Sequence, residues 1–283
     1  QQNEIFLKGY LFYRNSYVGT EKNIPAKFHD MSSDMKVISA ILRNINGSFA
    51  MICKSKSQII AAVDILRSFP LFWSYTNSVL YISDSADWIE HCIGPRNPDE
   101  CTLTEFLYSG LVSNEQTLHP EIFQIPPGHF LRFNEKDKKV EVKSYFEPLF
   151  LHDAKSSPKE LVSELQEEIK KTFQRLITST EDRQIVVPLS GGYDSRLIVQ
   201  TLHSFGYKDV LCYTFGNRKN SEIPISKNIA STLGYQWEYI PYEKNTWTGW
   251  LEDNTAFLKY ASNKTSLPCF QDWFAVKRLK EKG

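Results

Sequence analysis

Two rhythms of apolar and polar residues divide this chain. Up to about residue 148, short apolar runs follow one another at hairpin distance: 48–53, 58–63, 71–75 and 79–83. Ser68, Pro70 and the pair Thr76-Asn77 separate the later ones. Runs this short, broken by turn formers, predict antiparallel strands. Phe6–Tyr13 reads as a strand ahead of them, and Val37, Ile38, Ile41 and Leu42 form a short helical face after the capping candidates Ser32 and Ser33. A further hairpin is predicted near 129–145, where His129–Phe133 and Val140–Val142 flank a charged turn.

The second rhythm starts after a polar joint at 149–157. Ser157-Pro158-Lys159-Glu160 combines a capping box with proline at the first helical position. Leu161, Leu165, Ile169, Phe173 and Leu176 then recur at helical spacing. The pattern continues as strand 185–189, helix 195–205, strand 210–215, helix 222–233 and strand 236–240, after a first helix at 158–177. Gly206 and Gly234 fall where helix ends favour a left-handed residue. Alternating helices and short apolar strands predict a parallel, doubly wound sheet. The expected domains are therefore 1–150 and 155–283.

Composition narrows the classes. Of 283 residues, 41% are hydrophobic and 23% charged, as in globular chains. Basic and acidic residues balance at 33 each, which argues against nucleic acid or an anionic membrane as partner. No apolar stretch reaches the roughly 18–20 residues of a membrane span, and no signal peptide opens the chain. The five cysteines are scattered without a CxxC pair, which predicts free thiols in a reducing, cytoplasmic compartment. Asn46-Gly47-Ser48 and Asn263-Lys264-Thr265 match the glycosylation pattern and read as chance. A start at Gln1 and a stop at Gly283, just after a helix, read as a fragment or trimmed chain.

Candidate chemistry centres on Ser190-Gly191-Gly192-Tyr193-Asp194-Ser195, between the run Ile185–Leu189 and the helix from Arg196. The first N–H groups of a helix lack internal partners, and the helix dipole favours negative charge there. Adjacent glycines let the backbone approach a ligand, and the serines add hydroxyl donors. Asp194 would repel phosphate unless a hard cation such as Mg²⁺ lies between them. No lysine sits inside the turn, so this is not a Walker loop.

The turn resembles the SGGxDS loop of N-type ATP pyrophosphatases. Together with Leu211–Gly216 and Ser221-Glu222 leading to Ile229–Gly234, it resembles the synthetase domain of asparagine synthase-type glutamine amidotransferases. That resemblance implies a HUP-like fold with ATP and Mg²⁺ as cofactors. It assigns Leu189, Phe215 and Gly216 to the nucleotide pocket. It assigns Ser190, Gly191, Gly192, Asp194 and Ser195 to pyrophosphate, with Asp194 as metal ligand. The first half resembles the same family's glutaminase, an N-terminal-nucleophile (Ntn) hydrolase-like αββα sandwich. The motifs in order are Ser33-Asp34, Asn46–Ala50, Val63-Asp64-Ile65, Pro70-Leu71-Phe72 and Ile125–His129. Asp34 matches the aspartate that holds glutamine's amino group.

Two departures matter. The family's glutaminase needs an N-terminal cysteine, whereas this chain begins with glutamine and its first cysteine is Cys53. The family's substrate loop is replaced around Lys8-Gly9-Tyr10, and no Gly-Asp-Glu segment follows the helix expected over 270–282. The implied function is an AMP- and pyrophosphate-forming amide ligase with a silent glutaminase half. Its partners would be a small-molecule carboxylate and glutamine or ammonia, and a homodimer is left open. β-Lactam synthetase-like or peptide cyclase-like ring closure, and a non-catalytic nucleotide-binding scaffold, are the alternatives.

Overall fold

The computed structural model describes residues 4–19, 34–149, 157–248, 250 and 254–282. The chain divides into two compact units, Gln1–Phe150 with Thr255–Pro268, and Leu151–Asn254 with Cys269–Gly283. The stretch Thr255–Pro268 thus sits with the first unit, whereas the sequence reading ran the second domain unbroken from 155 to 283.

In the first unit, β1 (Glu4–Tyr13), β2 (Ser16–Tyr17), β3 (Ile45–Lys54), β4 (Gln58–Val63), β8 (His129–Asn134) and β9 (Lys139–Ser144) form one antiparallel sheet. Its order is β2-β1-β3-β4-β8-β9. A second antiparallel sheet has the order β6-β5-β7, from β5 (Phe72–Thr76), β6 (Val79–Ser83) and β7 (Phe123–Gln124).

Side-chain alternation along these strands makes two cores. Phe49, Met51 and Cys53 of β3 point to one face, with Ile60 and Ala62 of β4 and Phe130 of β8. There they meet Ile38 and Leu42 of helix α1 (Met35–Leu42). Ala50, Ile52, Ala61, Val63, Leu131 and Phe133 point the other way and pack against Trp73, Tyr75, Leu80 and Ile82 of the second sheet. That sheet's far face carries Phe72, packed with Ala86 and Ile89 of α2 (Ala86–Ile93). The layers therefore run helix, sheet, sheet, helix. Helix α3 (Glu100–Ser109) follows, capped by Asp99 and ended by Gly110 at φ 75°.

The second unit holds three parallel strands in sequential order: β10 (Ile185–Pro188), β11 (Val210–Gly216) and β12 (Gln236–Pro241). Helices α4 (Pro158–Thr180), α5 (Tyr193–Ser204) and α6 (Glu222–Thr232) lie on one face, where Phe173, Val187, Leu189, Val199, Leu202, Cys212 and Ala230 form the core. Tyr213 and Ile240 face the opposite side, against Ala275 of α8 (Trp273–Glu281). The capping box forms as the sequence predicts: Ser157 Oγ accepts from Glu160 N–H, and Glu160 accepts from Ser157 N–H at 2.7 Å. Gly206 and Gly234 adopt φ 71° and 70°.

Helix α7 (Thr255–Ser262) and the turn after it dock in the first unit. Asn263 Oδ1 accepts from Ala86 N–H at 2.9 Å, and its amide donates to the Asp84 and Tyr260 carbonyls. Lys264 pairs with Glu90 at 2.9 Å and Asp87 at 3.5 Å. Leu111 and Ser266 add a β-bridge. Asn263 is 5% exposed, so this glycosylation match is structural.

Candidate functional site

Strand β10 ends at Pro188, and residues 189–192 turn into α5. Gly192 is the N-cap and supplies no side-chain cap, whereas α1, α2, α3 and α4 each begin on a side-chain oxygen. The first-turn N–H groups of α5 are left without a capping oxygen, and the dipole's positive end lies beyond the carboxyl end of the sheet.

The turn's own polar groups hold it in shape. Ser190 N–H donates to Ser195 Oγ at 3.1 Å, and the two hydroxyls lie 3.0 Å apart. Gly192 N–H donates to Ser190 Oγ at 3.1 Å. Gly191 N–H donates to Glu222 Oε1 at 3.3 Å, from the first turn of α6. Arg196 lies over the Tyr193 ring and donates to the Gly191 carbonyl. Asp194 and Tyr193 are exposed, Tyr193 at 86%. Both border a cleft of about 590 Å³ between α5 and α6. That cleft's walls do not include Ser190, Gly191 or Ser195.

The remaining nucleotide-pocket candidates separate. Leu189 is 1% exposed and packs in the core beneath α4–α6. Its N–H donates to Tyr213 O, and its carbonyl accepts from Thr214 Oγ1. Phe215 packs on the sheet's opposite side, stacked between Tyr213 and Tyr242 with centroids 6.2 and 5.2 Å away. Gly216 adopts φ 121°, and its carbonyl accepts from Tyr242 N–H and Tyr239 Oη. A side chain at that φ would be strained.

In the first unit, Asp34 is the N-cap of α1 and accepts from Lys36 N–H at 2.8 Å. Ser33 lies outside the described residues. Asp64 organises the 64–68 turn: its carboxylate accepts from the N–H groups of Phe49, Leu66 and Ser68 at 2.9–3.0 Å. Lys8 pairs with Asp84 at 2.5 Å and sits 5.7 Å from both the Phe69 and Tyr260 rings. The Asp84 hydrogen bond holds its ammonium above the ordinary lysine value, and burial opposes this. Burial pushes the Cys53 thiol up to about 12 and Cys212 up to about 11. Both are buried, while Cys92, Cys101 and Cys269 are exposed.

Two features escaped the sequence reading. The Lys8–Asp84 pair spans 76 positions and leaves no local signal. Glu222 was visible as an acidic residue at a helix start, but its bond to Gly191 depends on how α6 packs against β11 and β12. Among the described residues no three His, Cys, Asp or Glu side chains gather as a metal cluster. No helix there is long and apolar enough to cross a membrane.

Residues 33–146 match the sequence profile of the glutamine amidotransferase domain. The chain is also 25% identical over 217 residues to the microcin J25-processing protein McjC of Escherichia coli. That match covers 74% of this chain and 39% of McjC. Among solved structures, the chain is similar to the glutamine phosphoribosylpyrophosphate amidotransferase of B. subtilis complexed with ADP and GMP, at 12% identity and TM-score 0.32. A structure described as the allosteric regulatory enzyme of purine biosynthesis gives 10% identity and TM-score 0.33. These cover 84% of this chain, and 45% and 60% of the respective structures. The chain thus spans less than two thirds of each relative's length.

Proposed function

We propose that this chain is part of an asparagine synthase-like amide ligase that adenylates a carboxylate with ATP, releases pyrophosphate and joins the activated carbonyl to an amine. The observation that carries the reading is the Ser190–Ser195 turn at the carboxyl end of a parallel strand, opening onto a helix start with no side-chain cap. On this reading the second unit is the beginning of a doubly wound, HUP-like ATP pyrophosphatase domain, and the first an Ntn-type glutaminase scaffold.

Each residue then has a role. Donors of the turn and the first helical N–H groups receive the β and γ phosphates and hold the departing pyrophosphate. In-line attack by the acceptor carboxylate on the α phosphate breaks the α–β bridge, and the amine then displaces AMP. Positioning and charge neutralisation dominate, with little covalent work left to the protein. Magnesium commonly takes one or two carboxylates and fills its remaining positions with water and phosphate oxygens. A single exposed carboxylate, Asp194, beside the turn fits that demand, and the ion would neutralise the polyphosphate.

The glutaminase scaffold is proposed to be silent here. Cys53, on interior strand β3 with its thiol held protonated by burial, is no nucleophile. Asp34 would be its remaining contact to glutamine's amino group. For the acceptor, a relative named for processing microcin J25 favours a peptide carboxylate over free aspartate. Peptide cyclisation would need no glutamine-derived ammonia.

Asp194→Ala in the full-length protein tests the assignment. Pyrophosphate release from Mg-ATP with acceptor present is expected to disappear, and unchanged release would refute the role. In calorimetry, no binding of Mg-ATP at millimolar concentration would mark a scaffold without a nucleotide site, and binding without pyrophosphate release by the full-length protein would mark a nucleotide-binding scaffold.

A further inference from the structure

We propose that Glu222 makes the Ser190–Ser195 turn selective for magnesium-loaded over bare polyphosphate; this inference rests on the phosphate role assigned to that turn above. Glu222 stands in the first turn of α6, and its Oε1 accepts the Gly191 N–H at 3.3 Å. Its own N–H is held by Asn220 Oδ1 at 2.9 Å, which fixes where α6 begins. Ile225, one turn further along α6, is the nearest group to the α-carbon face of Gly191: a β-carbon built there would lie 3.5 Å from Ile225 Cδ1 and 3.6 Å from Glu222 Cγ. Glu222 and Ile225 thus border Gly191 on the side where a side chain would stand, and the Gly191 N–H bond holds the carboxylate at the turn.

Other donors of the turn are engaged with the protein itself. Gly192 N–H uses Ser190 Oγ, Ser190 N–H uses Ser195 Oγ, and Arg196 is turned back onto the Gly191 carbonyl. Replacing a hydroxyl acceptor by a phosphate oxygen gains charge assistance. Replacing Glu222 at Gly191 does not, because one anion only displaces another. A bare polyphosphate taking the Gly191 N–H would meet the Glu222 carboxylate there, while the guanidinium of Arg196 is engaged by the Gly191 carbonyl. Like charges at close range disfavour that complex. A divalent cation reverses the sign: Glu222 then faces positive charge and gains a partner when it releases Gly191. The device costs affinity for free pyrophosphate and keeps affinity for the metal-loaded substrate. It also promotes loss of pyrophosphate once the metal departs.

The experiment titrates inorganic pyrophosphate into the chain by calorimetry, with excess magnesium and with chelator, for wild type and Glu222→Gln. Glutamine keeps the shape and a carbonyl acceptor for Gly191 but removes the charge. The readout is the ratio of the two affinities within one protein, which does not depend on the fraction folded. Wild type is expected to bind the magnesium form at least tenfold more tightly than the bare form. Glu222→Gln is expected to narrow that ratio at least tenfold, chiefly by tightening the bare form. A ratio unchanged in Glu222→Gln, with wild type binding the magnesium form, overturns the role of Glu222 and leaves the ligase reading intact. No binding of either form by either protein overturns both.

Discussion

Replacing Asp64 by alanine is expected to destabilise the first unit by about 4 kcal/mol. The carboxylate is 2% exposed and receives Phe49 N–H at 3.0 Å, Ser68 N–H at 3.0 Å, Leu66 N–H at 2.9 Å and Ser68 Oγ at 3.2 Å. Phe49 is 1% exposed, so alanine strands its buried N–H in the plane of the sheet, just past the end of the β3–β4 pairing, at about 2 kcal/mol. Leu66 and Ser68 reach solvent. Each loses a bond to a charged acceptor and regains water, at about 1 kcal/mol apiece. Asp64→Asn presents an amide donor to one pair of donors, so roughly half the loss is expected there. Because two units break simple two-state analysis, the assay is native-state hydrogen exchange of core amides in β3 and β4, with urea unfolding as a check. A loss under about 1 kcal/mol in Asp64→Ala would refute the idea that this carboxylate holds the turn.

Two further outcomes are expected. Thiol labelling of the native chain at pH 8 should modify Cys92, Cys101 and Cys269 quickly and spare Cys53 and Cys212 until urea is added; early reaction of Cys53 would contradict its place beneath α1. Lys8 is held above its ordinary value, so its contribution to stability is fully present below the unfolded lysine pKa of about 10.4 and fades as pH rises through the higher folded value. Lys8→Met should flatten that alkaline loss in unfolding curves, and equal slopes for both proteins would count against the Lys8–Asp84–Tyr260 cluster.

Much of the secondary structure was legible because its signals are local. Ser157 and Glu160 are three residues apart, and the capping box they make needs nothing else. The strands at 58–63 and 79–83 and the hairpin at 129–145 came directly from run length and turn residues. Signals were weaker where burial is sparse. Helix α3 buries only Thr102 among its residues and leaves Leu107 and Tyr108 exposed, so no apolar stripe marks it. The predicted cap of α1 shifted from Ser32 or Ser33 to Asp34, a displacement of one or two positions; Ser32 and Ser33 lie outside the described residues. Caps of similar chemistry compete, and the hydrophobic face decides among them only to within a turn.

The site divides the same way. Six consecutive residues spell the turn at 190–195, since a strand end, two glycines and a helix start are a local arrangement. Which neighbours converge on it is not local. Leu189 and Phe215 look equivalent as apolar strand-end residues, yet they point to opposite faces of one sheet and enter different cores.

From sequence alone came the two rhythms and the glycine-rich turn at 190–195, which depend on residues within one element of each other, and the balance of charge, which is a sum over the whole chain. Tertiary packing alone decided that Thr255–Pro268 joins the first unit, that Asn263 caps α2 and that Glu222 takes the Gly191 N–H. Each of these is a polar contact between segments far apart in the chain, fixed by how apolar faces pack, and hydrophobic periodicity records which face is buried without recording what lies against it.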